Sequence, residues 1–377
     1  MSKIIIGADL VPTQSNAELF AAGDAETLVG AELRKILADA DYRIFNLETP
    51  LADVESPIAK CGPNLIAPTS TIHGYKAIGA DILTLANNHI LDHGLQALDS
   101  TRRLLKENGI AFFGVGDTPQ EAAEPYVFEF AGKKIGLYAC AEHEFSIVTD
   151  KTSGANPFDP LESLDHVAAL KARCDFVVVL YHGGKEHYRY PSPNLRKVCR
   201  KLVEKGADLV VCQHSHCVGC EEKYRGGTIV YGQGNFLFDD TDNEFWQTGL
   251  LVALDADFNV SYLPLTKDGN KVKLAHSEAA EEILAGFKAR SREITVDGVV
   301  EAKYAEFAEK MKNNYLLHFS GGRRGLFWRA VNKLSRGRLV AWSIKRKYKT
   351  KQLLALQNFV ECEAHRELLL KGLKNEK

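Results

Sequence analysis

Five short apolar runs in this sequence end in residues able to hold a cation or move a proton. Ile4-Ile5-Ile6 leads to Asp9, Arg43-Ile44-Phe45 to Asn46-Leu47-Glu48, and Ile82-Leu83-Thr84-Leu85 to Asn87-Asn88-His89 with Asp92 close behind. The run 176–181 ends in His182-Gly183-Gly184-Lys185-Glu186-His187, and 207–212 ends in Gln213-His214-Ser215-His216. A single histidine after a strand is ordinary scaffold; five such ends in succession are not. Gathered carboxylates need cations, because an unpaired buried charge is costly. Carboxylate, neutral imidazole and amide oxygen together suit Zn, Mn or Fe. On an extended segment His214 and His216 share a face by the period of two, so both can aim at one metal. Asn88 can offer its amide oxygen, which frees His89 to act as an acid or an electrostatic clamp. One or two divalent ions in such a site would activate water and polarise a phosphoryl or carbonyl oxygen.

The elements that position these groups follow from the apolar pattern. Strand-like runs lie at 3–7, 42–47, 81–86, 110–114, 134–140, 175–181, 207–212 and 228–232, with helical patterns near 28–40, 69–79, 94–108, 161–173 and 192–205. Continuous apolar strands separated by helices predict a parallel α/β sheet covered on both faces, whose strand ends bind ligand. Beyond residue 217, alternating strands at 217–224, 227–232, 248–255 and 258–265 predict antiparallel pairing on a second sheet. Residues 278–316 and 323–372 read as helices. The organisation expected is a catalytic body at 1–270, a helical adaptor at 271–319 and a basic helical tail at 320–377.

The 377 residues, 45% apolar and 25% charged, exclude a disordered chain and a disulfide mini-protein. The net charge of −2 hides an asymmetry. Ser320–Lys377 carries 15 Lys and Arg against 4 Asp and Glu, +11, and the remainder is −13. The N-terminus reads as a first strand rather than a signal peptide. No apolar stretch reaches membrane-span length. The expectation is a cytoplasmic protein, with peripheral contact at the inner face of the membrane through the tail. Eight cysteines without a signal peptide read as reduced, and most of them as small core residues. Cys212, Cys217 and Cys220 bracket the two histidines. A separate zinc site would need four ligands pointing together, and the histidines are already committed.

In combination, Gly7-Ala8-Asp9, Asn46-Leu47-Glu48, Asn87-Asn88-His89 with Asp92 and Gly94, His182-Gly183-Gly184-Lys185-Glu186, Gln213-His214-Ser215-His216 and Tyr231-Gly232-Gln233-Gly234-Asn235-Phe236 are specific. Over about residues 3–265 the chain resembles the CapA family of capsule and poly-γ-glutamate biosynthesis proteins, within the calcineurin-like metallophosphoesterase superfamily. The resemblance implies a four-layer αββα sandwich, here with a C-terminal helical extension. It implies Asp9, Glu48, Asn88, His182, His214 and His216 as metal ligands and His89 as the acid or phosphate-stabilising histidine. The chain departs from the superfamily pattern at Val11, where a histidine is usual, at Glu48 in place of an aspartate, and at Gln213, often a glycine. The function implied is a metal-dependent, phosphoesterase-like hydrolase of capsule or exopolymer production. The alternatives are a metal-bearing accessory of a polymer synthase, or a hydrolase or transferase of γ-glutamyl amides.

The remaining candidates surround that site. Asp92 reads as the carboxylate that orients His89, and Glu186 as a further catalytic group. Asn87, Lys185, His187 and Asn235 are candidate substrate contacts, with a tight turn as the other reading of Asn235. The partner expected is an anionic polymer or phosphorylated substrate. The tail interleaves Arg323, Arg324, Arg329, Lys333, Arg336, Arg338, Lys345, Arg346, Lys347, Lys349 and Lys351 with Phe327, Trp328, Leu339, Trp342, Ile344 and Tyr348. It fits a membrane surface or an anionic polymer. No nucleic-acid recognition motif accompanies the charge.

Overall fold

The computed structural model describes residues 3–238, 243–321 and 333–375. Four parallel strands begin the first sheet: β1 (Lys3–Leu10), β2 (Tyr42–Leu47), β3 (Ile82–Thr84) and β4 (Ala111–Phe113). The chain then builds a second sheet from β5 (Tyr126–Phe130), β6 (Lys133–Ala141), β7 (Phe176–His182), β8 (Leu209–Gln213), β9 (Glu221–Tyr224) and β10 (Gly227–Tyr231). It returns to the first sheet with β11 (Asn235–Leu237), β12 (Thr248–Asp255), β13 (Val260–Asp268) and β14 (Lys271–Leu274). The strand orders are β14-β13-β12-β1-β2-β3-β4, with β11 also on β1, and β9-β10-β8-β7-β6-β5.

Strand periodicity explains the layers. In Ile4-Ile5-Ile6 the middle residue faces the helices α1 (Ala17–Ala22), α2 (Ala25–Val29), α3 (Ala31–Ala38), α4 (Ile72–Ala77) and α5 (Gly94–Glu107), packing in one core with Phe20, Leu33 and Leu98. Ile4 and Ile6 face the other way, into a core shared with Leu137, Val178, Leu180, Val211 and Val230 of the second sheet. In the second sheet Val178 and Leu180 turn to that inner core. Val177 and Val179 turn outward to α6 (Ser163–Lys171) and α7 (Pro193–Glu204), against Leu170, Cys199 and Leu202. Both sheets are covered on both faces, so their strands are apolar throughout rather than alternating. The αββα sandwich is therefore present. Helix α7 starts where its sequence says: Pro193 occupies the first turn, and the Ser192 hydroxyl accepts from the Leu195 N–H.

The antiparallel strands are distributed differently from the sequence reading. β12 pairs with β1, and β13 and β14 follow it, so all three extend the first sheet. β10 lies parallel to β8, and only β9 is antiparallel to β10. Alternation identifies a strand but not its partner, which explains the misplacement.

The chain separates into two compact units, Met1–Glu301 and Ala302–Lys377. Within the segment expected as an adaptor, β14 belongs to the first sheet. Helix α8 (Ser277–Glu293) buries Phe287 in the inter-sheet core, 4.7 Å between ring centroids from Tyr262. The second unit holds most of α9 (Val299–Phe319), then α10 (Arg338–Lys347), α11 (Thr350–Glu361) and α12 (Glu363–Asn375). Gly322, Arg323, Arg324, Phe327, Trp328 and Arg329, at the start of the expected tail, lie outside the described residues. Among the described residues no helix is long and apolar enough to cross a membrane.

Glu222 on β9 ties helix to sheet. Its buried carboxylate accepts from Arg196 Nη2 at 2.8 Å, from Arg200 and from the Tyr231 hydroxyl at 2.8 Å. Burial opposes its charge, but these donors outweigh burial and hold its pKa below the usual 4.5. A lowered folded pKa means stability that is present above the unfolded value and lost as pH falls through the folded one. Glu222→Gln is expected to cost about 2 kcal/mol near neutral pH in urea unfolding. The gap to wild type should close as the pH drops from about 5 to about 3; a gap independent of pH would refute this role.

Candidate metal centre

The register of the strands sets the site. Asp9 on β1 lies beside Asn46 of β2 and Asn235 of β11. On the second sheet His182, the last residue of β7, lies beside Gln213, the last of β8. The sheets stack with these ends together. The first supplies the carboxylates Asp9 and Glu48, and the second supplies the imidazoles His182, His214 and His216. Asp9 Oδ2 is 3.5 Å from His216 Nδ1 and accepts from the His214 N–H at 3.2 Å. Glu48 Oε1 is 3.2 Å from His182 Nε2 and 3.9 Å from His214 Nδ1. Ligand atoms of Glu48, His214 and His216 all lie within 4.8 Å of one another, and all three residues are buried.

Two features set this cluster apart from ordinary buried scaffold. Glu48 is 0% exposed, yet neither of its carboxylate oxygens has a hydrogen-bond donor, and His214 Nδ1 is also without a partner. Burial disfavours the Glu48 charge, but the facing imidazoles of His182, His214 and His216 outweigh it and hold the carboxyl well below 4.5. Burial likewise opposes protonation of His216, and the Asp9 and Glu48 carboxylates overcome it, pushing its pKa up to about 9. His214 shifts upward for the same reason, with Glu48 the principal opponent of burial. The second feature is backbone strain. His214 and His216 have φ of 81° and 53°, a left-handed conformation that costs a non-glycine residue about 1 kcal/mol or more. The two rings converge through these turns and not along an extended segment, which corrects the geometric reason given by the sequence though both residues reach the same place.

Buried amides wire the cluster. Asn46 Nδ2 donates to Asp9 Oδ1 at 2.7 Å and lies 3.1 Å from His182 Nδ1, while His182 Nε2 lies 2.9 Å from Asn88 Oδ1. Asn88 Nδ2 donates to Glu144 at 2.8 Å. His216 Nδ1 donates to Asn235 Oδ1 at 2.9 Å, which places Asn235 against a candidate ligand. The turn preceding Asn235 requires glycine: Gly234 has φ of 74°, and a Cβ there would meet Thr248 O at 2.5 Å. Asn87 is wholly engaged in the scaffold. Its Nδ2 donates to Asn46 Oδ1 and Leu47 O, and its Oδ1 accepts from the His89 N–H.

Beside this lies a second group. His89 Nδ1 donates to Asp92 Oδ2 at 2.6 Å, the orienting contact that the spacing suggested. Asp92 also accepts from the Leu65 N–H at 2.6 Å and from Lys60. Lys60 Nζ lies 3.2 Å from His89 Nδ1, and its side chain is almost completely buried. Lys60 lies 32 residues before Asp92 in irregular chain, and no sequence pattern pointed to it.

Glu186, half-buried on the loop after β7, has its carboxyl pKa lowered: burial raises it, but His214 and His216 outweigh that. Lys185 is half-buried on the same loop. His187 Nε2 accepts from the Trp246 indole N–H at 2.9 Å, and its ring stacks on Phe245 at 5.3 Å. Trp246 also packs 4.8 Å from the His216 ring, so His187 joins it in an aromatic wall behind that imidazole. Cys140, Cys199, Cys212, Cys217 and Cys220 are buried, and burial pushes the Cys217 thiol up to about 11. Cys199 Sγ and Cys212 Sγ are 3.6 Å apart in the core beneath the site.

The profile of the family described as "Bacterial capsule synthesis protein PGA_cap" matches residues 4–240, which contain every residue placed in the metal cluster. A "Capsule biosynthesis protein CapA" of Bacillus anthracis is 29% identical over 212 residues, 54% of this chain and 52% of the relative, so the match spans about half that relative's length. A "PGA biosynthesis protein CapA" of Bacillus subtilis is 25% identical over 283 residues, covering 70% and 73% of the two chains. Among solved structures, a novel phosphatase from Mycoplasma pneumoniae aligns over 71% of this chain and 94% of its own, at 15% identity and a TM-score of 0.44. With well over half of its length matched by the profile, this chain belongs to the bacterial capsule synthesis (PGA_cap) family.

Proposed function

We propose that this chain is a metal-dependent hydrolase acting in capsule or exopolymer production, with a phosphoester as the preferred substrate class and an anionic polymer or phosphorylated precursor as substrate. The observation that carries the reading is the buried Glu48 carboxylate without donors, facing His214 and His216. Such a group is costly in isolation. The donor set, carboxylate with imidazole, fits a divalent ion of the Zn, Mn or Fe type. Asp9, Glu48, His182, His214 and His216 would hold it, with the Asn88 amide oxygen as a further ligand once released from His182. A divalent ion there supplies Lewis-acid polarisation of the substrate oxygen and a lowered pKa for water.

The chain's own residues supply the rest. Asp92 fixes His89 through Nδ1, leaving Nε2 as the nitrogen that holds or delivers a proton at the leaving group. Lys60 gives Asp92 a cationic partner beside His89 and braces the pair. Trp246 and His187 limit the movement of His216. The capsule setting rests on family membership and on the names of the Bacillus relatives.

Two outcomes are expected. Metal-stripped full-length protein should gain thermal stability on addition of Mn or Zn, about 2–3 kcal/mol at a hundredfold excess over Kd, and Glu48→Gln should abolish the gain. A wild-type melting temperature indifferent to Mn, Zn and Fe would sink the metal centre. With metal restored, His89→Ala should lower turnover of the best substrate in a panel of phosphomonoesters, phosphodiesters and γ-glutamyl peptides by about 10²–10⁴-fold. Lys60→Met should cause a smaller loss in kcat, with KM and the metal-induced stabilisation retained. If His89→Ala turns over every substrate as fast as wild type, the hydrolase reading fails and a metal-bearing accessory role replaces it.

A further inference from the structure

From Ser320 to Val360 the sequence contains eleven Lys and Arg and no Asp or Glu. The structure adds where the apolar residues of this part of the chain lie. Of the eighteen large hydrophobic residues exposed among the described residues, thirteen fall in the second unit. The first unit, almost four times longer, exposes five and covers its apolar surface in the ordinary way. Exposure on this scale in a short segment marks a contact surface.

Helix α10 combines this exposure with the densest run of basic residues. Leu339 and Trp342 are 50% and 60% exposed, while Ile344 turns inward at 4%. Lys345, Arg346 and Lys347 close the helix, all exposed, and Lys349 and Lys351 follow at the start of α11. Leu339, Trp342 and Arg346 recur at spacings of three and four, so they share a face. The Arg346 guanidinium lies 5.5 Å from the Trp342 ring centroid, and so a cation accompanies the largest apolar anchor. Ten residues make about 15 Å of helix, half the thickness of a bilayer core. This helix can lie on a membrane but cannot cross one.

We infer that α10 and the basic turn after it form a docking surface for anionic lipid, with Trp342 and Leu339 entering the headgroup boundary and Lys345, Arg346 and Lys347 pairing with acidic headgroups. Charge complementarity selects this occupant. A second copy of the chain would bring the same cluster of positive charge against itself. A soluble polyanion would satisfy the charges and leave Trp342 and Leu339 in water. A lipid surface matches both, since apolar insertion and anionic headgroups meet in one plane. The inference stands independently of the metal centre.

The test is cosedimentation of full-length protein with vesicles of phosphatidylcholine alone and with phosphatidylglycerol added. Binding is expected only with phosphatidylglycerol, with a blue shift of tryptophan fluorescence, and it should collapse as NaCl rises from about 0.1 to about 0.5 M. The triple variant K345Q/R346Q/K347Q, confined to exposed positions, should lose partitioning by about tenfold or more. Trp342→Ala should lose it several-fold and abolish much of the blue shift, with helix content by circular dichroism unchanged in both. Equal sedimentation with neutral and anionic vesicles, or none with either, overturns the inference. So does capture by soluble poly-L-glutamate without vesicle binding, or a doubled mass in light scattering that depends on Trp342 and is unaccompanied by vesicle binding.

Discussion

Two buried carboxylates on one sheet face three buried imidazoles on the other, and this juxtaposition is what the rest of the body is arranged to hold. Neither half is tenable alone. Asp9 and Glu48 would sit at the ends of neighbouring strands as like charges in a low-dielectric interior. His182, His214 and His216 would be buried rings with unmet polar atoms. Face-to-face stacking of the sheets, driven by the apolar core that Ile6, Ile44, Val178 and Val211 share, brings the two sets within 3.2–3.9 Å. The hydrophobic effect is non-directional. It can press the sheets together, but it cannot fix which strand ends coincide.

Directional bonds between the sheets fix that coincidence. The pairing of β1 with β2 is irregular between Ile6 and Asp9. Carbonyl groups at such a break need partners from elsewhere, because buried backbone acceptors are rarely left unmet. Gln213, at the end of β8, donates to Gly7 O at 3.0 Å, and Gln233 donates to Ile6 O at 2.9 Å and to Leu250 O at 3.1 Å. Two buried glutamines thus bolt the site end of the second sheet to the broken edge of β1. The break also frees Asp9 from the regular strand path and lets it reach His216. Gln213, at a position where glycine is the expected residue, has a structural reason here: its side chain supplies the donor to the Gly7 carbonyl.

Much of this was legible in the sequence, and the boundary of legibility is physical. Apolar runs such as Val177–Leu180 are readable because both faces of a doubly covered strand are buried. Which run joins which sheet is not readable, since β12 and β13 have the same alternation whether they extend the first sheet or the second. The chemical residues at the strand ends are readable because the chain must deliver them within two or three residues of a strand. Lys60 and Trp246 are not. Each reaches the site from irregular chain, by a contact that no periodicity encodes: Lys60 through Asp92, Trp246 through His187. Asn87 marks the opposite error. It sits inside the most recognisable motif, yet all of its polar atoms are consumed in holding Asn46, Leu47 and the His89 backbone in place.

The strained histidines and the orphaned carboxylate belong to one argument. A fold gains nothing in stability from left-handed φ at His214 and His216, or from a buried Glu48 without donors. Relaxing His214 and His216 toward extended backbone would send successive side chains along the strand rather than around a point. Giving Glu48 a donor from Asn46, which already serves Asp9 and His182, would satisfy the carboxylate and close the same space. The neighbouring amides are instead spent on Asp9, His182 and His216, the groups that border the gap. Satisfied borders around an unsatisfied centre are what a site for a positive charge requires, and the left-handed turns at His214 and His216 bring both rings to that centre.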